Sequence, residues 1–250
     1  MLCRCYLDPG CTNHTIAMWA HATAELIKSL DSNHLVFMDC EGFFGPSTKD
    51  IYSNPFDTTS YGTDFAQDTN SPYIDVCCIH MYPEKWLPNN TEAENLEFME
   101  QWIHTHLEVA AMLDKPLLIS EYGFIQGPTR VPYFVDFSAI TLRHVRNQSK
   151  LVGSMFWQAC SEAYRYGDEY AIIVDNDGDD SSKAVVEELC ISLTQGYRNL
   201  NRFQSRRIHM DDERYDTRKF QNREGRMMKF IHSSPQSFRR KIDSMSCRLM

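Results

Sequence analysis

Four short runs of apolar and small residues divide the first 160 residues of the chain. Each run holds five to seven residues and lies between polar segments that carry proline, glycine, asparagine or serine. Continuous apolar runs of this length are typical of strands that are buried on both faces of a parallel sheet. The predicted strands are residues 34–38, 74–79, 116–121 and 151–157.

Longer segments before, between and after these runs have apolar residues at intervals of three and four positions, which predicts amphipathic helices. One helix begins after Thr91, which forms a capping-box pattern with Glu94 three residues later. The predicted helices cover residues 15–30, 91–112, 132–147 and 182–194. In the first helix, the face predicted to point to the core comprises Ile16, Trp19, Thr23, Leu26, Ile27 and Leu30.

Alternation of strands and helices predicts an α/β fold with a parallel sheet and right-handed crossovers. A complete (β/α)₈ TIM barrel takes about 250 residues and eight strands. Here residues 1–195 contain four predicted strands, so we expect an incomplete barrel of about four βα units. Such a sheet has two open edges, and we expect a chain of this kind to fold poorly by itself.

The charge pattern separates residues 196–250 from the body of the chain. This last segment holds 14 Lys and Arg against 6 Asp and Glu, whereas residues 1–195 hold 11 against 28. The acidic body argues against nucleic acid as a partner and suits a neutral ligand such as a sugar. We expect the basic segment to be a disordered tail; the alternative is a segment that contacts nucleic acid, a membrane or the acidic body.

The nine cysteines leave at least one thiol unpaired within the chain, and their spacing resembles no zinc site. We expect Cys77, Cys78 and Cys160 to be core thiols, because they lie in apolar runs, whereas Cys5 and Cys11 are close enough to pair.

Three glycosylation sequons, at Asn13, Asn89 and Asn147, are a weak indication of secretion. The chain has neither an apolar signal-peptide segment at its start nor an apolar stretch long enough to span a membrane. These observations together predict a secreted type of protein whose N-terminal part is missing from this chain.

Each predicted strand ends in polar or aromatic residues, and the carboxyl ends of parallel strands form one rim in an α/β barrel. Glutamate, histidine, tyrosine and tryptophan on one rim fit a sugar site, because an indole stacks on a pyranose ring while polar groups bind its hydroxyls. Each of these residues taken singly is common in a protein core or loop. The candidates in strand order are Glu41 and Phe43, His80 and Tyr82, Glu121 and Tyr122, and Trp157 and Gln158.

Five short segments contain these strand ends and the loop between the first two strands. They are EGFFG at 41–45, GTDF at 62–65, IHMYP at 79–83, KPLLISEYG at 115–123 and GSMFWQ at 153–158. In order and spacing, these segments resemble the motifs of plant-type endo-β-1,4-mannanases of glycoside hydrolase family 5. The resemblance covers the C-terminal half of such enzymes, from about residue 4 to 194, and excludes the basic segment.

The resemblance implies a retaining hydrolase that cuts internal β-1,4-mannosidic bonds in mannans, glucomannans and galactomannans. Glu121 matches the nucleophile, and His80 and Tyr82 match a motif in which the tyrosine hydrogen-bonds that nucleophile. Trp157 matches the platform under the sugar, and we place Glu41, Phe43 and Gln158 beside it as further substrate contacts. No metal or organic cofactor is implied, and we expect a monomer that binds mannan-type polysaccharide and neither nucleic acid nor a membrane.

The chain departs from the family at its start. The family carries its acid/base glutamate in an Asn-Glu-Pro motif closely followed by Arg-Cys; this chain has Arg4-Cys5, but Met1-Leu2-Cys3 precedes it. We therefore expect an N-terminally incomplete chain with impaired hydrolysis, and a secreted full-length protein. Glu41 is a spare acid that we do not expect to substitute. The alternatives are a non-catalytic, mannan-binding half-barrel and a β-1,4-glucanase of the same family.

Overall fold

Four parallel strands form the centre of the protein and lie in the order in which they occur along the chain. This computed structural model describes residues 12, 14–147, 149–161, 168–175 and 181–195. The strands are β1 (Phe37–Met38), β2 (Val76–Met81), β3 (Leu117–Tyr122) and β4 (Leu151–Phe156). All three neighbouring pairs are parallel, which confirms the predicted α/β class and all four predicted strands, although β1 is shorter than the prediction.

Helices precede, connect and follow the strands. The long ones are α1 (Thr15–Leu30), α4 (Glu92–Met112), α5 (Arg130–Arg146) and α6 (Ser181–Gln195), close to the predicted bounds. Two one-turn helices, α2 (Phe65–Asp68) and α3 (Pro83–Trp86), and 3₁₀ turns at Lys49–Ser53 and Thr59–Tyr61 were not predicted. A second sheet, in which β5 (Ala159–Cys160) pairs with β6 (Ile172–Ile173), was not predicted either.

The strands β2 and β3 are buried almost throughout, as their continuous apolar sequences require. Helix α4 buries Met99, Trp102, Ile103 and His106, and both halves of the predicted capping box at Thr91 and Glu94 are formed. The predicted core thiols Cys77 and Cys78 are fully buried and not in disulfides, whereas Cys160 is only half-buried.

The predicted buried face of α1 is confirmed at Ile16 and is wrong at its larger residues. Ile16, Ala20 and Ala24 pack against Met38 and Ile74, because small side chains allow α1 to approach the sheet closely. The larger apolar residues of the predicted face, Trp19, Leu26, Ile27 and Leu30, are instead exposed.

By backbone contacts the chain divides into two units, residues 1–189 and 190–250, and α6 crosses this division. Only residues 190–195 of the second unit belong to the described part, so the predicted tail from residue 196 and the predicted Cys5–Cys11 pairing lie outside it. Within the described ranges, none of the helices has the length and apolar character needed to cross a lipid bilayer.

Candidate active site

A register irregularity brings two polar side chains together at the carboxyl ends of β2 and β3. Ile79 lies opposite Ile119, but His80 lies opposite Glu121, so Ser120 is an extra residue in β3. Irregularities of this kind re-aim side chains and are frequent beside active sites. Here the extra residue brings the imidazole of His80 and the carboxylate of Glu121 to the same rim.

Glu121 has two polar partners at this rim. The Tyr82 hydroxyl donates to its Oε2 atom at 2.8 Å, and Nδ1 of His80 lies 3.6 Å from the same oxygen. Burial, together with the hydrogen bond to Glu121, raises the pKa of Tyr82 far above its ordinary value. Tyr82 therefore keeps its proton and remains a donor to a carboxylate that is 23% exposed.

Asp39, which follows β1, adds a second carboxylate to the rim. Its Oδ1 atom lies 3.1 Å from Nε2 of His80 and accepts a hydrogen bond of 2.5 Å from the Ser120 hydroxyl. Burial raises the pKa of Asp39, but the hydrogen bonds from His80 and Ser120 outweigh it, so the pKa lies below its usual value. Sequence reasoning missed Asp39, although it is the first polar residue after a predicted strand.

Asp39, His80 and Glu121 bring potential metal-binding atoms within 4.8 Å of one another. The imidazole lies between the two carboxylates and accounts for their proximity through hydrogen-bond and ion-pair contacts. These contacts explain why the three side chains lie close together.

Trp157 and Gln158 follow β4 and share one acceptor. The indole Nε1 donates to Asp168 Oδ2 at 3.0 Å, and the Gln158 amide donates to the same oxygen at 2.7 Å. The peptide bond between Trp157 and Gln158 is cis. Trp157 is 40% exposed, so its ring is held by one edge while part of it stays open to a ligand.

Tyr170 and Gly123 connect the Trp157 segment to Tyr82. The Tyr170 ring packs against the Tyr82 ring at 5.2 Å between centroids, and Arg130 donates to the backbone carbonyls of Tyr170 and Ala171. A Cβ atom on Gly123 would lie 2.7 Å from the Trp157 carbonyl oxygen and 2.9 Å from the Tyr170 ring. Glycine at this position therefore permits the close packing beside Glu121.

The two candidates from the first strand end have different surroundings. Glu41 is half-buried, and its backbone carbonyl accepts from the His80 amide at 3.1 Å. Phe43 is only 3% exposed, and its ring contacts Phe56, Tyr61, Trp86 and Trp102. The predicted contact of Phe43 with substrate would require this cluster to open, because the observed role of the ring is core packing.

The rim therefore combines a carboxylate with a protonated hydroxyl donor, an imidazole between two acids, and a partly exposed indole. A hydrogen-bonded carboxylate can act as a nucleophile, and an indole can stack on a flat apolar ring face. The predicted residues His80, Tyr82 and Glu121 contact one another, and Trp157 and Gln158 share Asp168.

Comparison with known proteins places the chain in a family. The sequence profile described as GH family 5 beta-mannosidase-like matches residues 8–157. Mannan endo-1,4-beta-mannosidase 5 of Arabidopsis thaliana is 30% identical over 73% of this chain and 46% of its own length. Mannan endo-1,4-beta-mannosidase 8 of Oryza sativa subsp. japonica is 31% identical over 68% of this chain and 48% of its own length. The chain thus spans about half the length of these relatives.

Comparison with solved structures identifies the fold. The endo-1,4-beta-mannanase from Rhizomucor miehei matches with a TM-score of 0.61 and 27% identity, covering 76% of this chain and 48% of that chain. An endo-beta-1,4-mannanase from Thermotoga petrophila has the same TM-score at 23% identity and covers 76% of this chain and 42% of that chain. The predicted incomplete α/β barrel is confirmed.

Proposed function

The chain belongs to the β-mannosidase-like family of glycoside hydrolase family 5, and on that basis we propose that its strand-end rim acts on β-1,4-linked mannans. The proposal depends above all on one contact, the 2.8 Å hydrogen bond from the Tyr82 hydroxyl to the Glu121 carboxylate. The family resemblance implies this contact for the nucleophile, and a hydrogen bond to the charged form of a carboxylate favours the ionised state in which it can attack.

In this proposal, Glu121 attacks the anomeric carbon of a bound mannosyl unit. One carboxylate oxygen forms a bond to that carbon while the bond to the leaving oxygen breaks, and the leaving group takes the electron pair. Tyr82 steadies the nucleophile as a donor, and His80 faces the same carboxylate oxygen. Trp157 provides the stacking surface, which Asp168 holds by its edge.

Cleavage of a polysaccharide also requires protonation of a poor leaving group. Retaining enzymes use a second carboxyl group about 5–5.5 Å from the nucleophile for this purpose. Asp39 lies close enough to Glu121, but its lowered pKa keeps it ionised, and an ionised carboxylate has no proton to donate. We therefore assign the nucleophilic half of the reaction to Glu121 and do not assign the general acid to Asp39.

An activated substrate tests this assignment, because dinitrophenolate leaves without protonation. The 250-residue chain is incubated with a 2,4-dinitrophenyl 2-deoxy-2-fluoro-β-mannobioside, whose fluorine slows breakdown of the covalent intermediate. We expect a burst of dinitrophenolate and a matching mass increase on the peptide that contains Glu121. Glu121→Gln abolishes both, whereas Glu108→Gln, on the exposed face of α4, retains both. Labelling of another residue, or labelling that survives Glu121→Gln, would disprove the assignment.

Mannan and cellulose oligosaccharides distinguish the alternatives. Binding of mannohexaose without labelling by the activated substrate would favour a mannan-binding protein that lacks catalysis. Faster labelling by the corresponding cellobioside would favour a β-1,4-glucanase.

We also propose that the protein acts outside the cell, where mannan-type polysaccharides are found. The sequons at Asn89 and Asn147 support this, because both asparagines are exposed. Expression in a secretory host and mass spectrometry of the two glycopeptides tests their use.

A further inference from the structure

His80 lies between two carboxylates, one at each ring nitrogen. Its Nε2 atom is 3.1 Å from Asp39 Oδ1, and its Nδ1 atom is 3.6 Å from Glu121 Oε2. A neutral imidazole carries one proton and would therefore present a lone pair to one of the two acids. Only the imidazolium form offers a donor to both.

We propose that Asp39 is a positioning residue that orients His80 and keeps both of its ring nitrogens protonated, so that Nδ1 faces Glu121 as a donor. The imidazolium then supplies a positive charge beside a carboxylate that must stay ionised to act as a nucleophile. This catalytic consequence rests on the function proposed for Glu121, whereas the protonation state of His80 does not depend on it.

The Asp39 carboxylate is itself positioned by a hydrogen bond. The extra residue in β3 places the Ser120 hydroxyl 2.5 Å from Asp39 Oδ1, the same oxygen that faces His80. Two donors to one oxygen fix the carboxylate in direction, and they favour its ionised form. Asp39, Ser120 and His80 come from three neighbouring strands or strand ends, so the contact spans β1, β2 and β3.

The other groups around the imidazole are compatible with a positive charge. In the described part of the chain, the Tyr82 ring lies edge-on at 6.3 Å, and its hydroxyl keeps its proton. The His80 backbone is also fixed, because the Trp102 indole donates to its carbonyl at 3.1 Å. Among the described residues, the titratable groups in contact with the His80 ring are Asp39, Glu121 and the neutral Tyr82.

Nitrogen-15 NMR of the histidine-labelled 250-residue chain tests the proposal without any substrate. The His80 ring signals are assigned by their loss in His80→Gln. At pH 7 we expect both ring nitrogens of the unmodified protein to show protonated-type shifts. A wild-type spectrum with one unprotonated nitrogen would overturn the proposal, whatever the variants do.

The variant Asp39→Asn removes the charge and retains the shape. Its amide can donate to Nε2, so the neutral tautomer with the proton on Nδ1 becomes satisfied. We expect Nε2 of His80 to lose its proton at pH 7 in this variant. The matched control is Asp31→Asn, which breaks a surface pair with His34 of 2.5 Å and leaves the His80 signals unchanged.

The two possible failures are distinguishable. If both nitrogens stay protonated in a folded Asp39→Asn, Asp39 does not control His80 and this inference is wrong, even where Glu121 is labelled. If the NMR result is as expected but Glu121 is not labelled by the activated mannoside, the proposed function fails and the positioning contact stands.

Discussion

His80 and Glu121 lie opposite each other on adjacent strands because Ser120 is an extra residue in β3. The same residue places a hydroxyl against Asp39 on the far side of His80. One inserted residue therefore determines the relative positions of two acids and the imidazole between them. Substitution of Ser120 should therefore change a measurable property of Asp39.

Ser120→Ala is expected to raise the pKa of Asp39. Burial favours the protonated acid, and the variant removes one of the two hydrogen bonds that oppose this effect. Carbon-13 NMR titration of the Asp39 carboxyl group measures the change. Ser29→Ala removes a serine hydroxyl from the exposed end of α1 and leaves the Asp39 titration where it was. An Asp39 titration that is identical in Ser120→Ala would show that the hydroxyl does not stabilise the anion.

Tyr82→Phe is expected to slow labelling of Glu121 by the activated mannoside. The variant removes a hydrogen bond to a charged group, which contributes about 1.5–3 kcal/mol. If the contact is fully used in the transition state, the rate falls about 10- to 150-fold. The burst of dinitrophenolate under single-turnover conditions measures it.

The control for this variant is Tyr52→Phe, which removes a tyrosine hydroxyl from a side chain that is 94% exposed. It should label at the rate of the unmodified protein. Equal rates for Tyr82→Phe and Tyr52→Phe would mean that Tyr82 does not assist the nucleophile.

Asp168→Ala is expected to weaken binding of mannooligosaccharides. Trp157 and Gln158 both lose their acceptor, so the indole gains freedom that a bound sugar must then restrict. Loss of a hydrogen bond worth about 0.5–1.5 kcal/mol predicts a rise in Kd of about 2- to 13-fold. Isothermal titration calorimetry with mannohexaose measures it.

A matched surface variant separates this effect from a change in net charge. Asp114→Ala removes an exposed aspartate that pairs with Lys150, and its Kd should equal that of the unmodified protein. An unchanged Kd for Asp168→Ala would show that Trp157 needs no support or does not contact the ligand.

The strand pattern predicted most of the rim. A buried strand in a parallel sheet can be recognised from its own residues, and its carboxyl end must lie at the edge that all the parallel strands share. His80, Tyr82, Glu121 and Trp157 were found in this way. Asp39 and Asp168 were not, since their importance depends on partners that are 41 and 11 residues away along the chain. The extra residue at Ser120 is invisible in the sequence because it is defined only by pairing with β2.

Helix α1 shows a different limit of the same approach. Periodicity favoured its largest apolar residues as the buried face, whereas the structure buries Ala20 and Ala24. Alanine contributes little to an apolar pattern, yet it lets a helix lie close to a sheet. Phe43 shows a further limit, because an aromatic residue at a strand end can contact a ligand or pack in the core, and the sequence pattern is the same in both cases.

Asp68 provides a prediction about stability. Burial is the main cause that raises the pKa of Asp68 from an ordinary value of 3.8 to about 7. The folded protein therefore binds a proton that the unfolded chain releases, and this favours folding most at pH values below about 4. The contribution is lost as the pH rises from there towards 7, by about 1.4 kcal/mol for each pH unit in that interval.

Asp68→Asn removes this dependence, because the amide cannot ionise and its oxygen can still accept from the Asp64 backbone amide. Relative to that of the unmodified protein, the free energy of unfolding of the variant should rise by on the order of 1–3 kcal/mol as the pH increases from 5 to 8. Urea unfolding at the two pH values measures the change. Asp57→Asn, at a fully exposed aspartate with a lowered pKa, should show no gain in this range. A difference between Asp68→Asn and the unmodified protein that stays constant from pH 5 to pH 8 would mean that Asp68 is already ionised in the folded state at pH 5.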